Sequence, residues 1–421
     1  MNIWIFQTGE PLHLDKKQYR PMRCMNLANF FTKKKHNVTI FSSRFFHLEK
    51  KHRLNKEVNK ISKLLTTVLI PSPGYKRHIG VKRIFDHVIL GRKLYKFLEK
   101  QKKLPDIAII GYPPIEFAYT AAKWLKKNNI PYIVDPKDQW PDIFYNILPK
   151  YFSFLIKVFI IPYHYMAKFI FQNAAFIIAP SNKFLMWASN YIKKKKNIYN
   201  QVLPLVPPDD FFTIKNHKPS KNIKNIFNNN FNFRILFIGL INRLHDYETI
   251  KKTIDILNKD KINCQLIFIG KGDKLNFLKN LFKNCNNLTL TGTLGIKDIA
   301  YISKNSDAAI APYFNTKDFS ENIPNKIYDY IFLKKPILFS LKGATCSILK
   351  KNNLGLYYKQ NSYISLANQI KCLYSKKEIK KKIEANCGLY KKKLLKSNLH
   401  NYLKFLNNLN FINQNKNFYN N

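Results

Sequence analysis

Short apolar runs alternate with helix-length amphipathic stretches along the first half of the chain. Residues 2–7 read as a strand, 20–34 as an amphipathic helix and 37–42 as a second strand. Further buried-type strands follow at 107–111, before a Pro-started helical stretch, and at 131–135 and 176–180. Strand, helix and strand repeated in this way predict a parallel sheet with helices on both faces.

The pattern stops between 213 and 232, where the chain is polar, Asn-rich and without clear periodicity, as suits a linker or an insertion. It restarts with strand-like runs at 234–239, 265–270, 288–291, 308–312 and 336–340, each separated by a helix-length segment. From 376 onward the chain is Lys- and Asn-rich, with Leu and Ile at helical spacing to about Phe405, which predicts one or two helices and a frayed tail. The full 421 residues exceed what a single core usually holds. The expected layout is a first wound domain over 1–205, a linker over 206–232, a second wound domain over 233–380, and C-terminal helices and tail over 381–421. Facing strand ends of two such domains form a cleft able to hold two substrates.

Composition changes this picture in two respects. Lys and Arg number 72 against 25 Asp and Glu, a net charge of +47, yet the chain is 46% hydrophobic and 14% aromatic, so the charge sits on folded domains and not on a basic tail. A drift toward Lys, Asn, Ile and Phe across the sequence accounts for part of it, and the remainder suits anionic, phosphate-bearing partners at a membrane face. No helix-turn-helix, zinc-finger or RNP-like pattern accompanies it, so no nucleic-acid partner is expected. The six cysteines show no metal-ligand or disulfide spacing. The N-terminus lacks the basic region and long apolar stretch of a signal peptide, and the aromatic-rich segment 151–171 is interrupted by Lys157, Pro162, His164 and Lys168. A cytoplasmic protein follows, or one peripheral on the inner face of the membrane. Segment 151–171 reads either as buried helix or as an interfacial element flanked by lysines.

Candidate chemistry concentrates at Glu321-Asn-Ile-Pro-Asn-Lys-Ile-Tyr-Asp329. Pro324 suits the first turn of a helix. The free N–H groups of that turn, with the helix dipole, Asn325 and Lys326, make a site for phosphate oxygens. Glu321 before the helix and Asp329 one turn into it can accept hydrogen bonds from hydroxyls at either end of a phosphate-linked ligand. A helix cap with a solvated Asp is the simpler alternative for this segment taken alone.

The segment resembles the E-x7-E element of retaining family 4 glycosyltransferases, with Asp for the second Glu, and its N-x-P-N-K form is similar to the subgroup that builds bacterial surface polysaccharides. The resemblance implies the GT-B fold, two Rossmann-like, doubly wound parallel-sheet domains facing across a cleft. It implies that Glu321 contacts the donor sugar and Asp329 the nucleotide ribose. Other segments occur in the family's order over roughly residues 1–350. Phe237-Ile-Gly-Leu-Ile-Asn-Arg243 resembles the strand and loop that grip the diphosphate, which assigns Gly239 and Arg243 to the donor; Glu248 stands where the family has a second cation, leaving Lys326 or His245 to supply it. The Gly270-Lys-Gly272 turn resembles the next donor loop, with Gly272 the donor-side residue, and Leu290-Thr-Gly-Thr the strand bordering the base. In the first domain, Gly9 and Glu10 resemble the acceptor loop, followed by Arg20 and Arg23, spaced three apart for one helix face and an acceptor phosphate. Lys35-His-Asn-Val-Thr resembles a strand entry in which Lys35 replaces Gly. The segments around His47 and Arg53 follow the subgroup without an assignable role. Lys137-Asp138 occupies the place of a His-Asp pair, so Asp138 joins Glu321 as a catalytic candidate.

The implied activity is retaining transfer of a sugar from a nucleotide-sugar donor to a saccharide or lipid-linked acceptor in lipopolysaccharide, O-antigen or capsule synthesis. Neither cofactor nor metal is expected, since no D-x-D element is present. The alternatives are a GT-B nucleotide-sugar epimerase, or a non-catalytic basic protein binding nucleic acid or membrane.

Overall fold

The computed structural model describes residues 1–15, 19–76, 80–142, 153–192, 197–212, 218–227, 231–315 and 323–415, without the side chains of 153–157. The chain divides into two compact units. One comprises Met1–Lys16, Pro21–Leu205 and Asn398–Asn421, the other Lys17–Arg20 and Val206–Ser397.

In the first unit the strands are β1 (Asn2–Phe6), β2 (Asn37–Ser43), the short pair β3 (Phe45–Phe46) and β4 (Lys51–His52), β5 (Val58–Ser62), β6 (Leu65–Ile70), β7 (Ile107–Tyr112), β8 (Tyr132–Pro136), β9 (Phe176–Ala179) and β10 (Gln201–Val202). Among the described residues they form a sheet in the order β10-β9-β8-β7-β1-β2-β6-β5, with β3 and β4 as a separate ribbon. Every pairing in the sheet is parallel except β5 with β6. Helices cover both faces, so the central strands are buried on both sides; β7 has no exposed residue. That burial is why these strands appear in the sequence as continuous apolar runs and not as alternation. The last turns of the helix Lys377–Gln414 return to this unit, burying Tyr402, Phe405, Leu409 and Ile412 with Phe31 and Phe176.

The second unit contains β11 (Phe233–Ile238), β12 (Cys264–Ile269), β13 (Leu288–Gly292), β14 (Ala308–Ala311), β15 (Ile337–Phe339) and β16 (Gly355–Tyr357). Its sheet runs β13-β12-β11-β14-β15-β16 and is parallel throughout. In each sheet the strand order reverses beside the first strand, between β1 and β7 and between β11 and β14. A crevice opens at such a reversal outside the carboxyl ends of the strands, and ligands bind there.

Three local expectations are corrected. The first helix starts at Arg23, not near residue 20, because the residue before Pro21 is disfavoured from helical backbone; Arg20 and Arg23 therefore do not share a helix face. Pro324 is the residue before the helix Asn325–Phe332 and not a member of it. The polar stretch 213–232 contains the short helix Lys221–Asn225, whose Ile223 is buried with Leu236, Ile267 and Ile302. Three apolar residues, Ile223, Ile226 and Phe227, anchor it in an otherwise polar segment.

Candidate active site

The reversal in the second sheet brings together most of the proposed donor residues. Gly239 follows β11 with φ +134°, and Gly270 and Gly272 follow β12. The two loops lie backbone against backbone: a Cβ on Gly270 would sit 1.9 Å from the Gly239 carbonyl oxygen, and one on Gly272 would sit 1.9 Å from that of Ile241. Glycine is thus required there by packing between the loops, and hydrogen bonds from Ile241 N to Lys271 O (3.0 Å) and from Lys274 N to Ile241 O (3.0 Å) fasten them.

Facing Gly239 is the helix Asn325–Phe332, whose first N–H groups have no partner within the helix. Tyr330 ties it to the sheet: its hydroxyl accepts from Ile238 N (3.1 Å) and donates to Ile310 O (3.0 Å). From its first turn Lys326 extends to within 3.4 Å of the position a Gly239 Cβ would take. Lys326 is 8% exposed. Its Nζ lies 3.8 Å from the Phe237 ring centroid and 4.7 Å from that of Tyr313, and it donates to His245 Nε2 at 3.0 Å. An ammonium taken from water loses several kcal/mol, whereas a desolvated ring face returns about 2 kcal/mol. The imbalance agrees with a Lys326 amine pushed well below its ordinary pKa by burial, with Asp329 only partly opposing this. His245 is driven down to about 2 by burial and by Lys326, so its ring is neutral and serves as acceptor.

Asp329 is 7% exposed and takes Arg20 Nε at 2.7 Å; Arg20 groups with the second unit. Burial holds the Asp329 carboxyl above its ordinary pKa despite Arg20 and Lys326. Arg243 is exposed on the loop after Gly239. Glu321 lies outside the described residues.

In the first unit, Gly9 adopts φ +76° in the loop after β1, as its tight turn requires. Glu10 and Arg23 are 6% and 1% exposed. Glu10 accepts from Cys24 N at 2.9 Å and from Lys137, while Arg23 pairs with Asp135 at 3.0 Å. Lys137 also reaches Gln7 Oε1 at 2.7 Å. These groups form one buried ionic network holding the Gly9 loop to the start of the first helix and to the end of β8. Arg53 completes it from the far side, gripping Asp15 through two bonds of 2.7 and 2.9 Å and the carbonyls of Ser43 and Glu10. Asp138 folds onto its own turn, accepting from Gln139 N (2.9 Å) and Trp140 Nε1 (3.2 Å). Neither role is legible in the sequence, where Arg53 ends a basic run that begins at Lys50 and Lys137 stands only where the resembling family has a His.

Residues 219–393, inside the second unit, match the family of Glycosyl transferases group 1. No curated protein matches the chain. Solved structures similar to it include sucrose-phosphate synthase from Thermosynechococcus elongatus, with TM-score 0.66 and 12% identity over 93% of this chain and 94% of that one. WaaG, a glycosyltransferase involved in lipopolysaccharide biosynthesis, gives 0.60 and 12% over 93% and 95%. Anabaena HepE in complex with UDP-glucose gives 0.60 and 12% over 95% and 98%. At these identities the likeness concerns the fold, and the fold is that of the two-domain GT-B glycosyltransferases. On that fold, the stretch of the second unit that is similar to the group 1 glycosyl transferases runs from residue 219 to residue 393.

Proposed function

We propose that the protein is a retaining glycosyltransferase of family 4 type that needs no metal, moving a sugar from a nucleotide-sugar to a saccharide or lipid-linked acceptor in cell-surface polysaccharide synthesis. One observation carries the donor half: the buried Lys326, held by His245 against two rings at the start of a helix and beside Gly239, makes no ion pair among the described residues and sits at a strand-order reversal. In this reading Lys326, Arg243 and the N–H groups at Asn325 hold the diphosphate, and Lys326 with His245 takes the place of the cation missing at Glu248. Asp329 receives the ribose hydroxyls and Glu321 the sugar. Negative charge grows on the departing diphosphate in the transition state, where these groups stabilise it, and its oxygen takes the acceptor proton as the new glycosidic bond forms on the same face. The acceptor is taken up by the first unit near Gly9 and Asp138. Glu10 and Arg23 act there by fixing the Gly9 loop.

The test is a transfer assay monitoring nucleotide release with and without acceptor, in excess chelator. Acceptor-dependent release that survives chelation and disappears in Glu321→Ala is expected. Release abolished by chelator overturns the metal-free mechanism, and sugar conversion without acceptor overturns transfer in favour of epimerisation.

A further inference from the structure

In front of the N-terminal end of the helix Tyr247–Lys259 lies a cavity of about 440 Å³, lined by Arg243, Asp246, Lys252, Lys274, Phe277 and Tyr363 among others. Its size is that of a small-ligand site. Asp246 is 6% exposed and caps the helix, Oδ1 accepting from Thr249 N at 3.0 Å. Its other oxygen, Oδ2, is buried and has no hydrogen-bond partner among the described residues. A buried carboxylate oxygen in that state is costly, and a donor brought by a ligand removes the cost. Lys252 and Lys274 make no ion pair among the described residues; each leans on a ring of the cavity wall, Lys252 on Tyr363 at 6.0 Å and Lys274 on Phe277 at 5.2 Å. With Arg243 they set three cations against the carboxylates of Asp246 and Glu248.

Hydroxyl acceptor, cations and flat apolar rings in one cavity match a polyol that carries an anion. We propose that this cavity binds a sugar bearing a phosphate or a carboxylate, a hydroxyl donating to Asp246 Oδ2, the anion held by Lys252 and Lys274, and the ring lying on Tyr363 and Phe277. The cavity shares Arg243 and His245 with the donor reading and goes beyond it through Asp246, Lys252 and Lys274, which that reading does not use.

Calorimetric titration of the full chain with glucose 6-phosphate and glucuronate, against glucose and inorganic phosphate, tests it. At least one of the two anionic sugars should bind at least tenfold more tightly than either control, and the tighter of the two identifies the anion. Lys252→Ala with Lys274→Ala should weaken it at least tenfold without lowering the melting temperature of the unligated protein. Asp246→Asn, which keeps a good helix cap, should weaken it likewise and decides the matter if the double variant folds poorly. No binding, inorganic phosphate binding as tightly as the sugar phosphate, or affinity unchanged in a folded double variant or in Asp246→Asn would overturn the proposal. UDP-, GDP-, dTDP- and CMP-linked sugars titrated separately report the donor site, so failure of all four with sugar-anion binding intact sinks the donor reading alone.

Discussion

Lys35 shows how much a single residue can carry. It stands where the resembling family has Gly, and its φ is +62°, so the turn keeps a glycine-like backbone although the side chain has changed; the local cost is about 1 kcal/mol. The glycines at 9, 270 and 272 were legible in the same way, since few residues other than Gly meet those backbone demands. Glu10 and Arg23 were not legible as buried. A charged residue in an acid-poor sequence looks like a surface ligand contact, and only the fold reveals that Lys137 and Asp135 lie within reach. His245 gives a direct test at this scale. Burial and Lys326 hold its folded pKa at about 2 against an ordinary 6.5. The unfolded chain takes up the proton near 6.5 while the folded one does not, so stability is lost as pH falls below 6.5 toward 2. The slope for one such group reaches about 1.4 kcal/mol per pH unit. Denaturant unfolding at pH 7, 6 and 5 should show wild type losing stability more steeply than His245→Gln by up to that amount. Parallel slopes would mean that His245 titrates normally in the folded protein.

Elements were readable wherever burial on both faces produced an apolar run. The strands that became β1, β2, β7, β8, β9 and β11 to β15 were all expected, with no end differing by more than one residue. Those not anticipated include β6, whose paired threonines interrupt its apolar character, the edge strand β5, which alternates partly exposed and exposed residues, and the three-residue β16. The described part of segment 151–171 lies in one helix, Ser153–Gln172, with a buried side and an exposed one. Ile160, Ala167, Ile170 and Phe171 are buried, while Val158, Phe159, Ile161 and Tyr165 are 52%, 75%, 62% and 66% exposed, with Met186 of the next helix at 70%. No helix among the described residues is long and apolar enough to cross a membrane. An exposed aromatic face beside Lys168 on a strongly basic chain suits shallow insertion into an anionic interface. Sedimentation with vesicles containing phosphatidylglycerol should carry the wild type down at low salt and leave Phe159→Asp/Tyr165→Asp in solution. Equal sedimentation of the two would remove this helix from membrane binding.

At the scale of the whole molecule, the alternation of strand and helix, its pause after residue 213 and its restart were enough to anticipate two wound sheets, and the GT-B neighbours agree with them. The net charge of +47 is far less discriminating, because it follows from composition everywhere, whereas the ligand site depends on where the strand order reverses. At that reversal in the second unit, the account stands on Lys326. Calorimetry with UDP-, GDP-, dTDP- and CMP-linked sugars on wild type and Lys326→Ala tests it most directly. The account predicts saturable binding of at least one of these donors to wild type, at least tenfold weaker in a variant of unchanged melting temperature. Binding of none of them, or equal binding to both proteins, would contradict it.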